Sequence, residues 1–310
     1  MMTSPSSLPL GTRPRPATNL GESQPLASQA LATEREVLIR RNNVRIIGEG
    51  SQTLLFCNGF GCSQQIWRYL STPLANRYRV VLFDYIGTGE SDLSAYDWQE
   101  YNSLDRYAQD VVKICQVLDL HNVVLVGHSV GATIAMLAAT QAPTCFAKCV
   151  LLTASPCYIN KPGYYGGLSL EDVNQMLALL DVDQHSWANL FAGLLVAPEH
   201  IPTLGEELVG YFCNLDTTVA RHFARVTFLA DNRANVSELK LPTLLIQCAD
   251  DAIAPTEVSD FLMAHLPQVT LSTLPTVGHC PHLSAPIETM AAIEAFLAQP
   301  SATEATLAQG

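Results

Sequence analysis

The chain has 310 residues, enough for one large α/β domain or two small ones, and 48% of them are hydrophobic, so a substantial core can form. A formal net charge of −12 argues against nucleic acid or an anionic membrane surface as the main partner. The sequence contains no run of 18 apolar residues, so we expect no transmembrane helix and no membrane partner.

The cysteines and glycines bear on the compartment and on bound groups. Nine cysteines occur without a Cys-x-x-Cys pair, which predicts packed, reduced thiols and a cytoplasmic location. Their spacing does not favour zinc, although His279 and His282 share one loop. Gly87-Thr88-Gly89 is not a dinucleotide-binding motif. We therefore expect no metal and no cofactor.

Composition divides the chain into a core, an insertion and two tails. Residues 1–33 are rich in Pro, Ser, Thr, Gly and Ala, and 299–310 look similar, so both are predicted to be disordered. Residues 34–155 and 240–298 are predicted to form the α/β core. Residues 156–239 are predicted to form a helical cap inserted between its two parts.

The first part of the core alternates short apolar runs with amphipathic helices. Runs at 37–40 and 44–47 flank Asn42-Asn43, which predicts a β-hairpin. Continuous apolar strands are predicted at 53–57, 79–83, 122–126 and 148–153, and later in the chain at 242–248 and 269–274. This alternation predicts a doubly wound, mostly parallel sheet of eight strands.

Strand-like runs disappear in the insertion, and four helices are predicted there. Ser169 marks the start of the first, and Asp216 can cap the fourth. The second carries Trp187 and Phe191 in a stripe at helical spacing. Such stripes usually serve packing, but a lid is covered on two sides, so we expect these two rings to line a pocket as well.

The pentapeptide Gly127-His128-Ser129-Val130-Gly131 lies between an apolar strand and a run of small helix-forming residues. This strand, turn and helix arrangement predicts a nucleophile elbow, with Ser129 as the nucleophile. Its glycines would supply room and freedom in φ around a strained serine. The alternative is an ordinary Gly-rich turn with an exposed serine.

The acid and the base should follow the serine in that order. Asp251 comes after a buried strand and is preferred as the acid, with Asp250 as the competitor. His279 follows the last strand and is preferred as the base over His282. His128 is interpreted as structural, since its side chain should point away from that of Ser129.

An oxyanion hole needs backbone N–H donors close to the nucleophile. We expect one from Val130 and the other from Phe60, whose flanking glycines allow close approach. The side chains predicted to bind substrate are Phe60, Trp187, Phe191, Phe223 and Ile253.

Several stretches together resemble the α/β-hydrolase superfamily. Within it, the chain is similar to the RsbQ-like stress-response regulator hydrolases and to the plant karrikin and strigolactone receptors. The matching stretches are Gly59-Phe60-Gly61-Cys62, Leu82-Phe83-Asp84-Tyr85, Gly87-Thr88-Gly89-Glu90-Ser91-Asp92, Gly127-His128-Ser129-Val130-Gly131, Ser155-Pro156-Cys157-Tyr158, Gln247-Cys248-Ala249-Asp250-Asp251 and Gly278-His279-Cys280-Pro281-His282.

The resemblance implies a triad of Ser129, Asp251 and His279, a V-shaped cap of four helices and a small apolar pocket. It also implies slow hydrolysis and a signalling role, in bacteria together with a PAS-domain protein phosphatase. Asn58 stands where the family usually has His, so we expect altered support of the loop that follows. The N-terminal extension matches nothing in the family.

The sequence thus predicts a serine hydrolase acting on a small apolar ester or lactone, in an RsbQ-like stress-signalling role. One alternative is a ligand-sensing receptor that activates a partner phosphatase with little turnover. Another is a cofactor-free perhydrolase using the same triad. A haloalkane dehalogenase is disfavoured, because its nucleophile would be Asp where Ser129 stands.

Overall fold

The computed structural model describes Met1 and residues 33–299, so most of the two predicted tails lies outside the described residues. One sheet holds the strands β1 (Arg45–Ile47), β2 (Thr53–Cys57), β3 (Arg79–Leu82), β4 (Val123–His128), β5 (Phe146–Leu152), β6 (Thr243–Asp250) and β7 (Val269–Val277). Their spatial order is β1-β3-β2-β4-β5-β6-β7. Only β1 is antiparallel to its neighbour, so the prediction of a mostly parallel sheet is confirmed.

The helices cover the sheet and fill the insertion. They are α1 (33–41), α2 (Arg68–Leu74), α3 (Leu104–Val117), α4 (Val130–Gln141), α5 (Leu170–Val182), α6 (Gln184–Leu195), α7 (Glu206–Asn214), α8 (Thr217–Phe228), α9 (Thr256–His265), α10 (Pro281–Ser284) and α11 (Pro286–Leu297). Among the described residues, no helix is long and apolar enough to cross a membrane.

The prediction of eight strands is wrong by one in the described part of the chain, because residues 37–40 belong to α1. Asn43 ends this helix with φ of +45°, a conformation that Asn tolerates better than most residues. Its N–H donates to the carbonyl of Arg40 at 3.3 Å, and the N–H of Val44 donates to that of Ile39 at 2.8 Å. These two bonds form a Schellman motif, so the Asn pair ends a helix and makes no hairpin.

The parallel sheet brings loops that are distant in sequence to one edge. Strand β4 lies between β2 and β5, and all three are almost fully buried, which explains their continuous apolar sequences. Because the carboxyl ends of parallel strands share an edge, the loops after β2 and β4 are neighbours there. The loops after β6 and β7 lie further along the same edge.

Four helices, α5 to α8, occupy the chain between β5 and β6, and we call this segment the helical insertion. The predicted starts at Ser169 and Asp216 are confirmed, because each side chain accepts backbone N–H bonds at a helix N-terminus. Aromatic rings from three of these helices surround Phe60 of the β2 loop at centroid distances of 5.1 to 6.2 Å. The insertion therefore packs directly over the edge that carries the functional loops.

A buried carboxylate ties the N-terminal helix to the core. Asp110 on α3, with its side chain 2% exposed, accepts from Arg41 at 2.8 Å, from Arg106 at 2.7 Å and from the Tyr101 hydroxyl at 2.6 Å. Charge-assisted bonds of this kind are stronger than neutral ones, and their loss leaves buried partners unsatisfied.

Replacing Asp110 by Ala is expected to lower the free energy of unfolding by about 2–4 kcal/mol, since two arginines and a tyrosine lose their common acceptor. Urea unfolding followed by circular dichroism measures this. The matched control is Asp260→Ala on the exposed face of α9, for which a change below about 0.5 kcal/mol is expected. Equal effects of the two substitutions would contradict the assignment.

Candidate active site

Ser129 stands at the sharp turn between β4 and α4. Its φ of +56° and ψ of −126° are a strained combination for a residue other than glycine. The Ser129 N–H donates to the carbonyl of Leu152 on β5 at 3.0 Å, which helps to hold this conformation.

The two glycines of the elbow provide room and do not provide φ freedom. A Cβ on Gly127 would lie 2.5 Å from the carbonyl oxygen of Gly131, and one on Gly131 would lie 2.3 Å from that of Asn58. Neither glycine has a positive φ. The part of the prediction that gave them a conformational role is therefore wrong, and the positive φ falls on Ser129 itself.

Ser129, His279 and Asp251 form one buried hydrogen-bonded chain. Nε2 of His279 lies 2.7 Å from Oγ of Ser129, and Nδ1 of His279 lies 2.8 Å from Oδ2 of Asp251. Because Nδ1 faces a carboxylate, it carries the proton, which leaves Nε2 free to accept the proton of the serine hydroxyl. The arrangement can therefore generate a nucleophilic alkoxide.

The structure distinguishes the two neighbouring aspartates. The side chain of Asp251 is buried, and its Oδ1 also accepts the N–H groups of Ile253 at 2.9 Å and of Ala254 at 3.0 Å. Asp250 is exposed at the end of β6 and contributes its backbone carbonyl to the N–H of Gly278. Only Asp251 is thus brought to His279, with its carboxylate fixed by the turn that follows the strand.

The backbone of His279 is held from three directions. Its carbonyl accepts from Nε2 of His128 at 2.8 Å and from Oγ1 of Thr153 at 2.9 Å. Its N–H donates to the carbonyl of Leu195, the last residue of α6, at 2.8 Å. The position of the imidazole therefore depends on the elbow, on the loop after β5 and on the helical insertion.

The predicted oxyanion donors lie in the two loops that flank the serine. Phe60 is the third residue after β2, Val130 is the first residue of α4, and both are buried. Asn58 supports the first loop by donating from Nδ2 to the carbonyl of Phe83 at 2.9 Å and accepting from Nε1 of Trp67 at 2.8 Å. Asn58 therefore makes two buried hydrogen bonds.

A small apolar cavity, which we call the Ser129 cavity, lies against the candidate nucleophile. Its free volume is about 10 Å³, and its lining includes His279 and the apolar side chains of Phe60, Phe191, Leu195, Leu208 and Phe228. Of the predicted substrate-binding residues, Phe60 and Phe191 line this cavity.

The other three predicted substrate-binding residues lie around the Ser129 cavity and do not line it. Trp187 stacks on Phe191 at 4.9 Å, and Phe223 packs between Phe60 and Tyr107 at 5.1 and 4.6 Å. Ile253 lines a separate groove. Trp187 and Phe223 therefore support the lining of the Ser129 cavity from behind, and a role of all three residues in binding substrate stays a prediction.

Tyr158 is a site residue that the prediction did not single out. Its hydroxyl lies 3.2 Å from Oγ of Ser129, and the side chain is buried. Burial raises the pKa of this phenol above its usual range, so the hydroxyl keeps its proton. The sequence signals were its place in a loop after a strand and its membership of the stretch Ser155-Pro156-Cys157-Tyr158 that resembles the family, and neither indicates where the side chain points.

Two further histidines lie behind the site as neutral rings. Burial, followed by the neighbouring His282 and His279, holds the pKa of His128 well below its usual range. Burial lowers the pKa of His282 to about 3, and its ring lies 4.7 Å from that of Trp67 and 4.4 Å from that of His128. Residues 33–299 contain no group of three or more His, Cys, Asp or Glu side chains that could hold a metal ion.

Comparison with known proteins finds a matching family model and relatives that are hydrolases or receptors. A model of the alpha/beta hydrolase family matches residues 54–293. The strigolactone esterase D14 of Arabidopsis thaliana is 32% identical over 247 residues, covering 79% of this chain and 92% of that protein. The karrikin insensitive 2 receptor CA of Petunia hybrida is 32% identical over 246 residues, covering 79% and 91%.

A solved structure extends the similarity to the whole fold. A hydrolase from Oleispira antarctica superposes with a TM-score of 0.83 and 35% identity, covering 86% of this chain and 98% of that protein.

The depressed pKa of His282 makes stability depend on pH. The folded state resists protonation of this ring, so its contribution is intact above about pH 6.5 and is lost as the pH falls toward 3. Between pH 7.5 and 4.5, the wild type is expected to lose about 2–3 kcal/mol more stability than His282→Phe. Urea unfolding at the two pH values measures this, and equal losses would contradict the assignment.

Proposed function

Because this chain belongs to the α/β hydrolase family, we propose that it is a serine hydrolase that cleaves small apolar esters or lactones. The observation that carries the proposal is the continuous hydrogen-bonded chain from Oγ of Ser129 through His279 to Asp251. The strained elbow that presents the serine is the second support.

The nine free thiols favour a reducing compartment, and we propose that the protein is located in the cytoplasm.

In the proposed reaction, Oγ of Ser129 attacks the carbonyl carbon of the ester while Nε2 of His279 takes the hydroxyl proton. Asp251 stabilises the imidazolium and keeps the proton on Nδ1. The tetrahedral intermediate collapses, the alcohol leaves with the proton from His279, and an acyl group remains on the serine. Water then attacks this acyl-enzyme with His279 again acting as the base, and the acid is released.

The negative charge of the tetrahedral intermediate needs fixed donors. We propose the backbone N–H groups of Phe60, in the loop after β2, and of Val130, at the start of α4, which follow adjacent strands at the carboxyl edge of the sheet. Tyr158 adds a protonated hydroxyl 3.2 Å from Oγ of Ser129, positioned to donate to the serine oxygen as negative charge develops.

The lining of the cavity and the relatives support the proposed substrate class. The Ser129 cavity is surrounded by aromatic and aliphatic side chains, which favour an uncharged apolar acyl or lactone group. The Arabidopsis relative is named an esterase of strigolactones, which supports ester or lactone chemistry at this site.

Ser129→Ala is expected to lower kcat/KM for p-nitrophenyl acetate by about 10⁴-fold or more, and Asp251→Asn by about 10²–10⁴-fold. The reason is that the serine forms the covalent bond, whereas the carboxylate sets the tautomer of His279. Steady-state hydrolysis followed by absorbance, together with fluorophosphonate labelling, measures both.

Asp250→Asn is the matched control, because it changes the adjacent exposed carboxylate and should stay within about threefold of wild type. A wild type that neither labels nor hydrolyses the ester, or a control as inactive as Asp251→Asn, would contradict the proposal.

A second role, ligand sensing, is favoured by the bond between the N–H of His279 and the carbonyl of Leu195 at the end of α6. A ligand that shifts α6 would also move the proposed base, so occupancy of the site and the shape of the insertion are coupled. The similarity to a Petunia receptor supports this role. We propose that this role is stress signalling and that the partner is a PAS-domain protein phosphatase.

For this role, a butenolide is expected to shift the melting temperature of wild type and to increase capture of the phosphatase in a pull-down. Ser129→Ala should keep the ligand-induced shift, since binding precedes attack. Absence of both the shift and the capture would remove the sensing role and leave the hydrolase proposal intact.

A further inference from the structure

The Ser129 cavity is too small for the reaction it serves. Its free volume of about 10 Å³ corresponds to roughly one water molecule, for which about 10–15 Å³ is needed by the same measure. Even a short ester needs more space than this. Substrate must therefore reach Ser129 by displacing a side chain that closes the cavity.

A larger apolar groove lies between α5 and α6, and we call it the α5–α6 groove. Its volume is about 350 Å³, which is within the range of about 300–1,000 Å³ usual for small-molecule sites. Seven of its nine lining residues are apolar, namely Leu168, Met176, Leu179, Leu190, Phe191, Leu194 and Ile253, and the other two are Asp172 and Gln175. Leu190 and Leu194 are 54% and 40% exposed, so the groove is open to solvent.

The side chain of Phe191 lines both the α5–α6 groove and the Ser129 cavity. It is 4% exposed and stacks on Trp187 with 20° between the rings. The groove is also linked to the acid of the proposed triad, because its lining residue Ile253 donates its backbone N–H to Asp251. The two spaces are thus separate, and the ring of Phe191 lies at the boundary of both.

The way in which this boundary can open is restricted by α6 itself. The N–H of His279 donates to the carbonyl of Leu195, and Val196 pairs with Gly278 in an antiparallel bridge. Lifting the C-terminal end of α6 would therefore displace the proposed base. Rotation of the Phe191 side chain, away from the rings of Phe60 and Phe228, would leave these bonds intact, because a change of rotamer does not move the α6 backbone.

We propose that the α5–α6 groove binds a medium-length apolar chain of the ester and that Phe191 is the gate between this groove and Ser129. This inference rests on the proposed hydrolase function and makes it more specific. The chain can belong to the acyl or the alcohol side of the ester. Burying each methylene in the groove should raise kcat/KM about threefold to fourfold until the groove is full.

The test compares p-nitrophenyl octanoate with p-nitrophenyl acetate, and octyl acetate with methyl acetate. For each pair, the ratio is kcat/KM for the long-chain ester divided by kcat/KM for the short-chain ester. In wild type, one of the two ratios is expected to be at least ten, and the pair that gives it shows whether the acyl or the alcohol side carries the chain. Phe191→Ala should raise this ratio at least fivefold by joining the two spaces. Leu190→Glu should lower it at least tenfold, because it puts a charge into the apolar groove.

Leu93→Glu is the matched control, since Leu93 is 48% exposed and belongs to the lining of neither the Ser129 cavity nor the α5–α6 groove. It should leave both ratios within twofold of wild type. Ratios that do not respond to Phe191→Ala and Leu190→Glu, in enzymes that hydrolyse acetate esters, would overturn the groove assignment and leave the hydrolase proposal standing.

A binding experiment keeps the inference testable without turnover. In the Ser129→Ala background, octanamide should bind at least tenfold more tightly than acetamide by isothermal titration, and Leu190→Glu should abolish the difference. Equal binding of the two amides would overturn the proposal. Light scattering provides a second check. If the wild type is a dimer, Leu190→Glu is a monomer and the ester ratios are unchanged, a second copy of the chain covers the groove, and the proposal is overturned.

Discussion

The hydrogen bond between Nε2 of His279 and Oγ of Ser129 joins two loops that are 150 residues apart in the chain. It can form only when β4 and β7 are both in place, with β5 and β6 between them. The strain at Ser129, which costs on the order of 1–3 kcal/mol for such a backbone, is sustained by the surrounding parallel strands. The reactive geometry is therefore a property of the whole sheet.

The parts of the site that follow directly from a strand could be predicted from the sequence. Ser129, Asp251 and His279 each come after an apolar run, and a parallel sheet brings such positions to one edge. The role of the elbow glycines was harder to predict, because a glycine needed for close approach looks the same in sequence as one needed for positive φ. Likewise, an Asn pair serves equally as a hairpin turn and as the end of a helix.

What could not be predicted is how the insertion is oriented over that edge. The stripe on α6 indicated that Trp187 and Phe191 were buried, but only the packing shows that Phe191 reaches the Ser129 cavity while Trp187 lies behind it. Tyr158 lies in a loop without periodicity, so nothing in the sequence indicated that its hydroxyl faces the serine. Contacts between segments depend on tertiary packing, which local pattern does not specify.

The most direct test of the proposed chemistry is to look for the covalent intermediate itself. Rapid mixing of the full chain with p-nitrophenyl acetate should give a burst of p-nitrophenol equal to the enzyme concentration, and mass spectrometry of the quenched protein should find one acetyl group on Ser129. An acetyl group on any other residue, or hydrolysis of the ester by Ser129→Ala at the wild-type rate, would contradict acyl transfer through Ser129.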